Sequence, residues 1–504
     1  MKLLSLRVCT HDSNITYFDG TELHYYKSER DYQVKHHAFA NVWEWRDVIK
    51  RVWGVDYRDI DEIAIIFEPG TNNLPVGEKN IFPAVEYDLF PAPCKVWRLD
   101  HHYAHALSGW MLMDTDPDVC ITIDGTGDAY SDTPWSVIKN DQQIACGDLS
   151  KSDSIGRLMI EMGNYLGLKR VEGFNIYEAM DLAGKVMSLQ SFGNLDKEFL
   201  KSIRQYDMNS VNQAFDLQTW LNHCPDNRIG YLTPLNWART VHQWVSEMLV
   251  DFFKKFASPT DIVLYAGGIA QNIVWNTELK KHFPNLIIPP HCTDEGLSLG
   301  GIEWLRRKNN LPKFKLKNFP YIQSDVTVEL PSHTTIATTA KLLAEGKIVA
   351  WYQGHGEVGP RALGNRSILM NPTIKNGKNL INAVKQREKF RPFGASVLDE
   401  FKHLDFEILD DDPFMLYTCK VKNNTFEAIT HIDGTSRVQT VKDQNPVFKS
   451  LLTEFFNISK CPVLLNTSLN VNGKPIASKP EDAIEVFNNS KIDCLVIGDK
   501  IFYK

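Results

Sequence analysis

Residues 119–139 read VCITIDGTGDAYSDTPWSVIK. The apolar run Val119 to Ile123 enters the turn Asp124-Gly125-Thr126-Gly127-Asp128 directly, and Trp135 to Ile138 supplies its hairpin partner. A glycine turn at the end of a buried strand exposes backbone N–H groups that can cradle a phosphate. The signature returns where the strand Ile262 to Ala266 ends in Gly267-Gly268 and opens a helix through Gln271 and Asn272. Two such strand ends in one chain predict an α/β nucleotide-binding unit.

Upstream, Leu3 to Cys9 and Asn14 to Phe18 read as short strands with a turn at Asp19-Gly20, so the chain opens on a β-meander. An aromatic-rich helical stretch from Phe39 to Trp53, a strand EIAIIF and a helix carrying HHYAHALSGWML follow. Downstream, apolar residues recur at helical spacing between Arg239 and Phe256, as a core-facing helix requires. The stretch RRKNNLPKFKLKNFPYIQ, from Arg306, is basic, holds two prolines and lacks a sustained period; it reads as an interdomain strap. A second α/β unit then begins near residue 330, with a helix from Thr338 to Glu345 and a strand from Ile348 to Tyr352. No internal repeat is visible in the residues.

At 504 residues the chain exceeds what one compact core accommodates, so two large units are expected. A net charge of −7 disfavours a nucleic-acid or anionic-membrane footprint. Nine cysteines without a C-x-x-C pair predict reduced thiols in a cytoplasmic protein and disfavour metal binding by cysteine. The opening residues lack the apolar core of a signal peptide, and no run reaches membrane-spanning length.

His101 and His105 are four residues apart, so on a helix both imidazoles leave one face and can grip a single ion. A pair of buried, hydrogen-bonded histidines is the structural alternative. His102, where a metallopeptidase would carry glutamate, disfavours that chemistry. Asp124 ends a strand and Asp294 sits in TDEGLSLGG; singly each suits a turn or a cap. With the histidine pair they complete an N/O set suited to iron, manganese or zinc, bridging to nucleotide phosphates.

A second cluster lies in GHGEVGPRALGNRSIL and KQREKFRPFGASV. Arg361 and Arg366 follow glycines expected to let a ligand approach the backbone, and Lys385, Arg387 and Arg391 crowd the next segment. A solvated helix face is the usual source of such a run, but Arg-Pro-Phe-Gly makes a poor one, so a phosphate or carboxylate pocket is predicted. LLNTSLNVNGKPI adds Asn466, Thr467, Ser468 and Asn470, which suit a nucleotide or carbamoyl amide and suit turn chemistry nearly as well. At the amino end, CTHDSN holds His11 and Asp12, and KSERDYQVKHH holds Glu29, Arg30, Lys35 and His36. His11 has the intrinsic pKa to accept or relay a proton.

Read end to end, these motifs resemble the NodU/CmcH carbamoyltransferases: THDSN, DHHYAHALS, DGTGD, GKVMSL, YAGGIAQN, TDEGLSLGG, GEVGPRALGNRSIL, KQREKFRPF, THIDGTSRVQTV and LLNTSLNVNGKPI. The combination of GPRALGNRSIL with K-x-R-E-x-x-RPF carries most of the specificity. The resemblance implies an actin-like ATPase domain over 1–325, similar to tRNA threonylcarbamoyl transferases, and a YrdC-like α/β domain over 326–504. It implies that carbamoyl phosphate and ATP become carbamoyl-adenylate in the second domain. The first domain then passes the carbamoyl group to a hydroxyl of a small-molecule acceptor.

Carried onto this chain, the resemblance makes His101, His105, Asp124 and Asp294 ligands of a divalent metal, iron first, with manganese, magnesium or zinc as alternatives. It assigns transfer to His11, Asp12 and Lys35, and nucleotide binding to Gly125, Thr126, Gly127, Asp128, Gly267, Gly268 and Asn272. Carbamoyl phosphate and adenylate fall to Arg361, Arg366, Lys385, Arg387, Arg391, Asn466, Thr467, Ser468 and Asn470. A homodimer is an admissible assembly. Gln271 departs from the smaller or apolar residue expected there, and SLRVCTHDSN is less rich in glycine and alanine than usual. The rivals are a tRNA threonylcarbamoyladenosine-type enzyme, which would favour a basic face, and a non-catalytic nucleotide-binding protein on an actin-like scaffold.

Overall fold

The computed structural model describes residues 1–8, 11–67, 81–125, 134–147, 154–168, 176–204, 233–316, 318–323, 326 and 328–504, with backbone alone for 176–180. The expected N-terminal meander forms as β1 (Leu3–Val8), β2 (Asn14–Phe18) and β3 (Leu23–Lys27). Parallel crossovers add β4 (Glu62–Phe67) and β6 (Lys95–Leu99), and the short β5 (Ala84–Glu86) closes the edge in the order β3-β2-β1-β4-β6-β5. Every residue of β1 and β4 is buried, as central strands covered on both faces require.

The second sheet is built on residues 119–146: β7 (Val119–Ile123), β8 (Trp135–Lys139) and β9 (Gln142–Cys146) form a meander, and β10 (Val263–Ala266) and β11 (Leu286–Ile287) join in parallel. Its order, β11-β10-β7-β8-β9, reproduces the first sheet's hairpin-then-crossover plan. The two sheets are therefore a duplicated topology. The residues carry no repeat because each position answers only to burial and pairing, which many sequences satisfy.

Helices pack between and over these sheets. His101–Trp110 starts on an Asp100 side-chain cap to Tyr103 N–H, and Leu297–Lys308 crosses it closely. At the crossing a Cβ on Gly300 would lie 1.9 Å from the Ala104 carbonyl oxygen, so only glycine fits. That approach brings the histidine helix beside the turn that carries Asp294.

A nine-stranded mixed sheet spans the rest of the chain: β12 (Val349–Tyr352), β13 (Arg366–Met370), β14 (Gly394–Leu398), β15 (Phe406–Glu407), β16 (Cys419–Val421), β17 (Thr435–Val441), β18 (Val463–Ser468), β19 (Cys494–Ile497) and β20 (Lys500–Tyr503). The order is β15-β16-β17-β14-β18-β13-β12-β19-β20, over its own apolar core. A tongue, 410–418, leaves this sheet and lodges Phe414, Leu416 and Tyr417 in the core of the second sheet. Asp412 holds the tongue's bend by accepting from Leu416 N–H at 2.8 Å and Tyr417 N–H at 2.9 Å.

Candidate functional site

The histidine pair and the two aspartates converge as the spacing predicts. One nitrogen or oxygen from each of His101, His105, Asp124 and Asp294 lies within 4.8 Å of all the others. His105 Nε2 is 3.1 Å from His101 Nε2, 2.9 Å from Asp124 Oδ2 and 3.3 Å from Asp294 Oδ1. Two imidazoles and two carboxylates pointed at one centre form the donor set a divalent cation needs, so the residues fit a metal. Asp124 Oδ1 accepts from Gly125 N–H at 2.6 Å and Gly268 N–H at 3.2 Å, which leaves Oδ2 for the histidines. The ends of β7 and β10 thus meet on one carboxylate. Arg7, buried in β1, donates to Asp294 Oδ2 at 2.7 Å; burial pushes that carboxyl up, but Arg7 together with His101, His105 and His11 holds it well below its ordinary range.

A second cluster adjoins the first. Asn14 donates to the Asp294 carbonyl at 2.9 Å and to the Asp12 carbonyl at 2.7 Å, pinning the first hairpin's turn against the metal quartet. Asp12 Oδ2 stands 3.1 Å from His11 Nδ1 and 3.0 Å from His36 Nδ1, between two imidazoles. Buried Lys27 lies 3.1 Å from Glu29, 3.1 Å from Glu295 and 4.0 Å from Asp12. Burial opposes each of these charges, yet His36 and the other partners hold Asp12 well below its ordinary value, while Asp12 raises His36. Lys35 does not join them; it pairs with Asp181 at 2.7 Å on the rim.

The basic residues gather around β14, β17 and β18. Gly394 pairs with Arg437 on one side and Asn466 on the other, so an arginine and an amide flank a strand position without a side chain. Asn466 donates to Ser396 Oγ at 2.9 Å, and its Oδ1 is buried without a hydrogen bond. Lys385 is spent on neutral acceptors, Ser468 carbonyl at 2.6 Å, Ser468 Oγ at 3.1 Å and Asn470 Oδ1. Burial, then Arg387, Arg391 and Lys35, push its ammonium well below the usual range. Burial and Arg391 bring Arg387 down to about 9, and burial with Arg361 and Arg387 lowers Arg437. Arg361 is lowered too, by burial and then Arg391. Among the described residues, the one carboxylate in ion-pair range of these cations is Glu388, 3.8 Å from Arg391.

Several expected residues take other roles in this conformation. Arg366 is buried, stacks 3.6 Å over Tyr352 and donates to the carbonyls of Gln353 at 2.5 Å, Gly354 at 3.0 Å and Asn365 at 3.0 Å; it ties down its own loop. The neighbouring glycines admit protein, not ligand: a Cβ on Gly359 would meet the Pro290 carbonyl oxygen at 2.4 Å, and one on Gly364 the Phe448 ring at 2.4 Å. Asn272 caps the helix Ile273–His282 through Val274 and Trp275 N–H and donates to His242 at 3.0 Å. Thr467 lies at the end of β18 and Gly267 donates to the Cys292 carbonyl at 2.7 Å. Thr126, Gly127 and Asp128 lie outside the described residues. Arg437, Arg7, Asn14 and Lys27 carry no local sequence signal that marks them for these sites. Arg437 sits in the quoted THIDGTSRVQTV, but its place in the pocket follows from the β14–β17 pairing.

Two family models cover most of the chain: "Carbamoyltransferase N-terminus" over residues 92–302 and "Carbamoyltransferase C-terminus" over residues 340–504. The chain belongs to the carbamoyltransferase family. Family membership makes it a transferase. Nodulation protein NolNO of Sinorhizobium fredii is 29% identical over 469 residues, which are 84% of this chain and 66% of NolNO. The 3'-hydroxymethylcephem-O-carbamoyltransferase of Amycolatopsis lactamdurans is 34% identical over 275 residues, 51% of this carbamoyltransferase and 52% of its relative. Among solved structures, HypF of T. kodakarensis aligns with 62% of the chain and 48% of its own at 13% identity and TM-score 0.41. Among the described residues of this carbamoyltransferase, no helix is long and apolar enough to cross a membrane.

Proposed function

We propose that this carbamoyltransferase converts carbamoyl phosphate and ATP to carbamoyl-adenylate among the arginines and passes the carbamoyl group to an acceptor hydroxyl beside His11. The assignment divides the chain into a transfer domain, 1–325, and an activating domain, 326–504. The carrying observation is a cluster of cations, Arg361, Lys385, Arg387, Arg391 and Arg437, for which Glu388 is the one carboxylate in ion-pair range among the described residues. Such a site is stabilised by a polyanion, and ATP with carbamoyl phosphate supplies one.

In the activating step water cleaves carbamoyl phosphate to carbamate and phosphate. The carbamate oxygen attacks the α-phosphorus of ATP, and pyrophosphate leaves. Arg361, Arg391 and Arg437 offset the charge on the phosphate oxygens, and Asn466 Oδ1, a buried acceptor without a partner, suits the carbamoyl N–H₂. In the transfer step the acceptor oxygen attacks the carbamoyl carbon, AMP departs, and the hydroxyl proton goes to His11, which Asp12 orients. A divalent metal, iron first, held by His101, His105, Asp124 and Asp294 would supply positive charge for nucleotide phosphates. The overall negative charge favours a small-molecule acceptor over nucleic acid.

Carbamoyl-phosphate-dependent ATP–pyrophosphate exchange by the purified protein tests the reading, because exchange requires adenylate formation and no knowledge of the acceptor. Exchange that His11→Ala leaves intact is the expected result. Its absence from the wild-type protein with both substrates saturating overturns the assignment.

A further inference from the structure

The short helix Ser28–Tyr32 and the turn after it face both sites at once. On one side, Glu29 accepts from Lys27 Nζ at 3.1 Å and from His36 N–H at 2.9 Å, and His36 meets Asp12. On the other side, three contacts reach loops of the arginine pocket. Arg30 donates to the Gly359 carbonyl at 2.8 Å, Gln33 donates to the Ile476 carbonyl at 3.2 Å, and Lys479 pairs with Asp31 at 2.6 Å. Gly359 stands two residues before Arg361, and Ile476 lies in the loop that follows Asn470. Gly359 also packs on Pro290, just upstream of Asp294, so the loop is clamped from two directions.

Arg30 is 2% exposed, its Nε has no hydrogen bond, and among the described residues no carboxylate lies within ion-pair distance of it. A buried guanidinium so incompletely paired stabilises less than an apolar side chain of its size would, and its benefit is geometric. We propose that Arg30 is a positioning residue that closes the seam between the transfer cluster and the arginine pocket, keeping water from carbamoyl-adenylate in transit. The proposal rests on the two-step reading above. In an open seam a water oxygen attacks the carbamoyl carbon, the bond to AMP breaks, and the carbamic acid formed falls to carbon dioxide and ammonia. AMP then accumulates without transfer.

The test uses the full-length protein with ATP, carbamoyl phosphate and pyrophosphate, and no acceptor. Exchange reports adenylate made, and AMP reports adenylate lost to water. Arg30→Gln is expected to raise AMP formed per exchange event about tenfold while exchange stays within about twofold, since only water exclusion changes. Arg30→Lys, which keeps a cationic donor, should restore part of the seal, and Lys479→Ala, which breaks the outer clamp alone, should leak about two- to threefold. An unchanged ratio in Arg30→Gln with exchange intact overturns the proposal. If Arg30→Gln loses both signals through misfolding, an unchanged ratio in Lys479→Ala does so instead. Absence of exchange from the wild-type protein and every variant alike marks failure of the two-step reading itself.

Discussion

The two candidate sites handle buried charge in opposite ways. Around the histidines, nearly every buried acid has a built-in counterpart: Arg7 on Asp294, Lys27 on Glu29 and Glu295, and two imidazoles on Asp12. Around β14, by contrast, burial and neighbouring cations lower Arg361, Lys385, Arg387 and Arg437, and among the described residues Glu388 is the one carboxylate in ion-pair range of the cluster. The first site is held in shape by its own residues; under the proposed function the second takes its countercharge from the substrates. A mutation in the first should therefore show in stability, and one in the second in binding.

Four experiments bear on that contrast. Arg7→Met leaves Asp294 buried without its cation and should destabilise the protein by roughly 3–5 kcal/mol in urea denaturation; a change under ~1 kcal/mol would show that the quartet does not need its own compensation. Arg361→Ala or Arg437→Ala should instead leave the urea midpoint near wild type and weaken ATP–pyrophosphate exchange by roughly 2–5 kcal/mol in kcat/KM. Losing midpoint and exchange together would erase the distinction between the sites.

His101→Ala combined with His105→Ala should cost metal affinity more than the roughly 10–100-fold typical of outer-shell partners, read by elemental analysis after dialysis. Exchange should survive. Retained stoichiometric metal would remove the quartet as its holder.

The smallest effect concerns Asp412. Burial raises its carboxyl from 3.8 to about 6, so the proton it carries stabilises the fold at low pH and that contribution fades as pH rises through 6. Asp12 and Asp294 are depressed and behave in the reverse sense, losing stability on acidification. The difference in stability between wild type and Asp412→Asn should fall by roughly 2 kcal/mol from pH 4 to pH 7. A flat difference would mean that Arg437 already keeps Asp412 ionised.

What could be read from the residues depended on how local the signal was. His101 and His105 declare themselves because one helix turn separates them, and EIAIIF and VCITI fall on β4 and β7 residue for residue. Asp294 joins Asp124 across 170 residues through a helix crossing at Gly300, which no spacing encodes. Arg366 looks like a phosphate ligand in GPRALGNRS, yet burial turns its guanidinium toward three carbonyls, because a guanidinium out of water takes whatever acceptors its loop provides. Arg437 and Arg7 are ordinary strand residues until pairing sets them beside a partner. The duplicated sheet order is a property of connections alone.

The tongue at 410–418 has a consequence for how such a chain can be taken apart. Leu416 and its aromatic neighbours fill the core beneath α-helical cover on the second sheet, while Asn276 and Thr277 hydrogen-bond its backbone. Cutting the polypeptide near residue 325 would leave one fragment with an empty socket and the other with an apolar plug. Expressed separately, each should be poorly soluble; expressed together, they should find each other and copurify as a stoichiometric pair. The strap would then be dispensable as a covalent link, because the plug supplies the attachment.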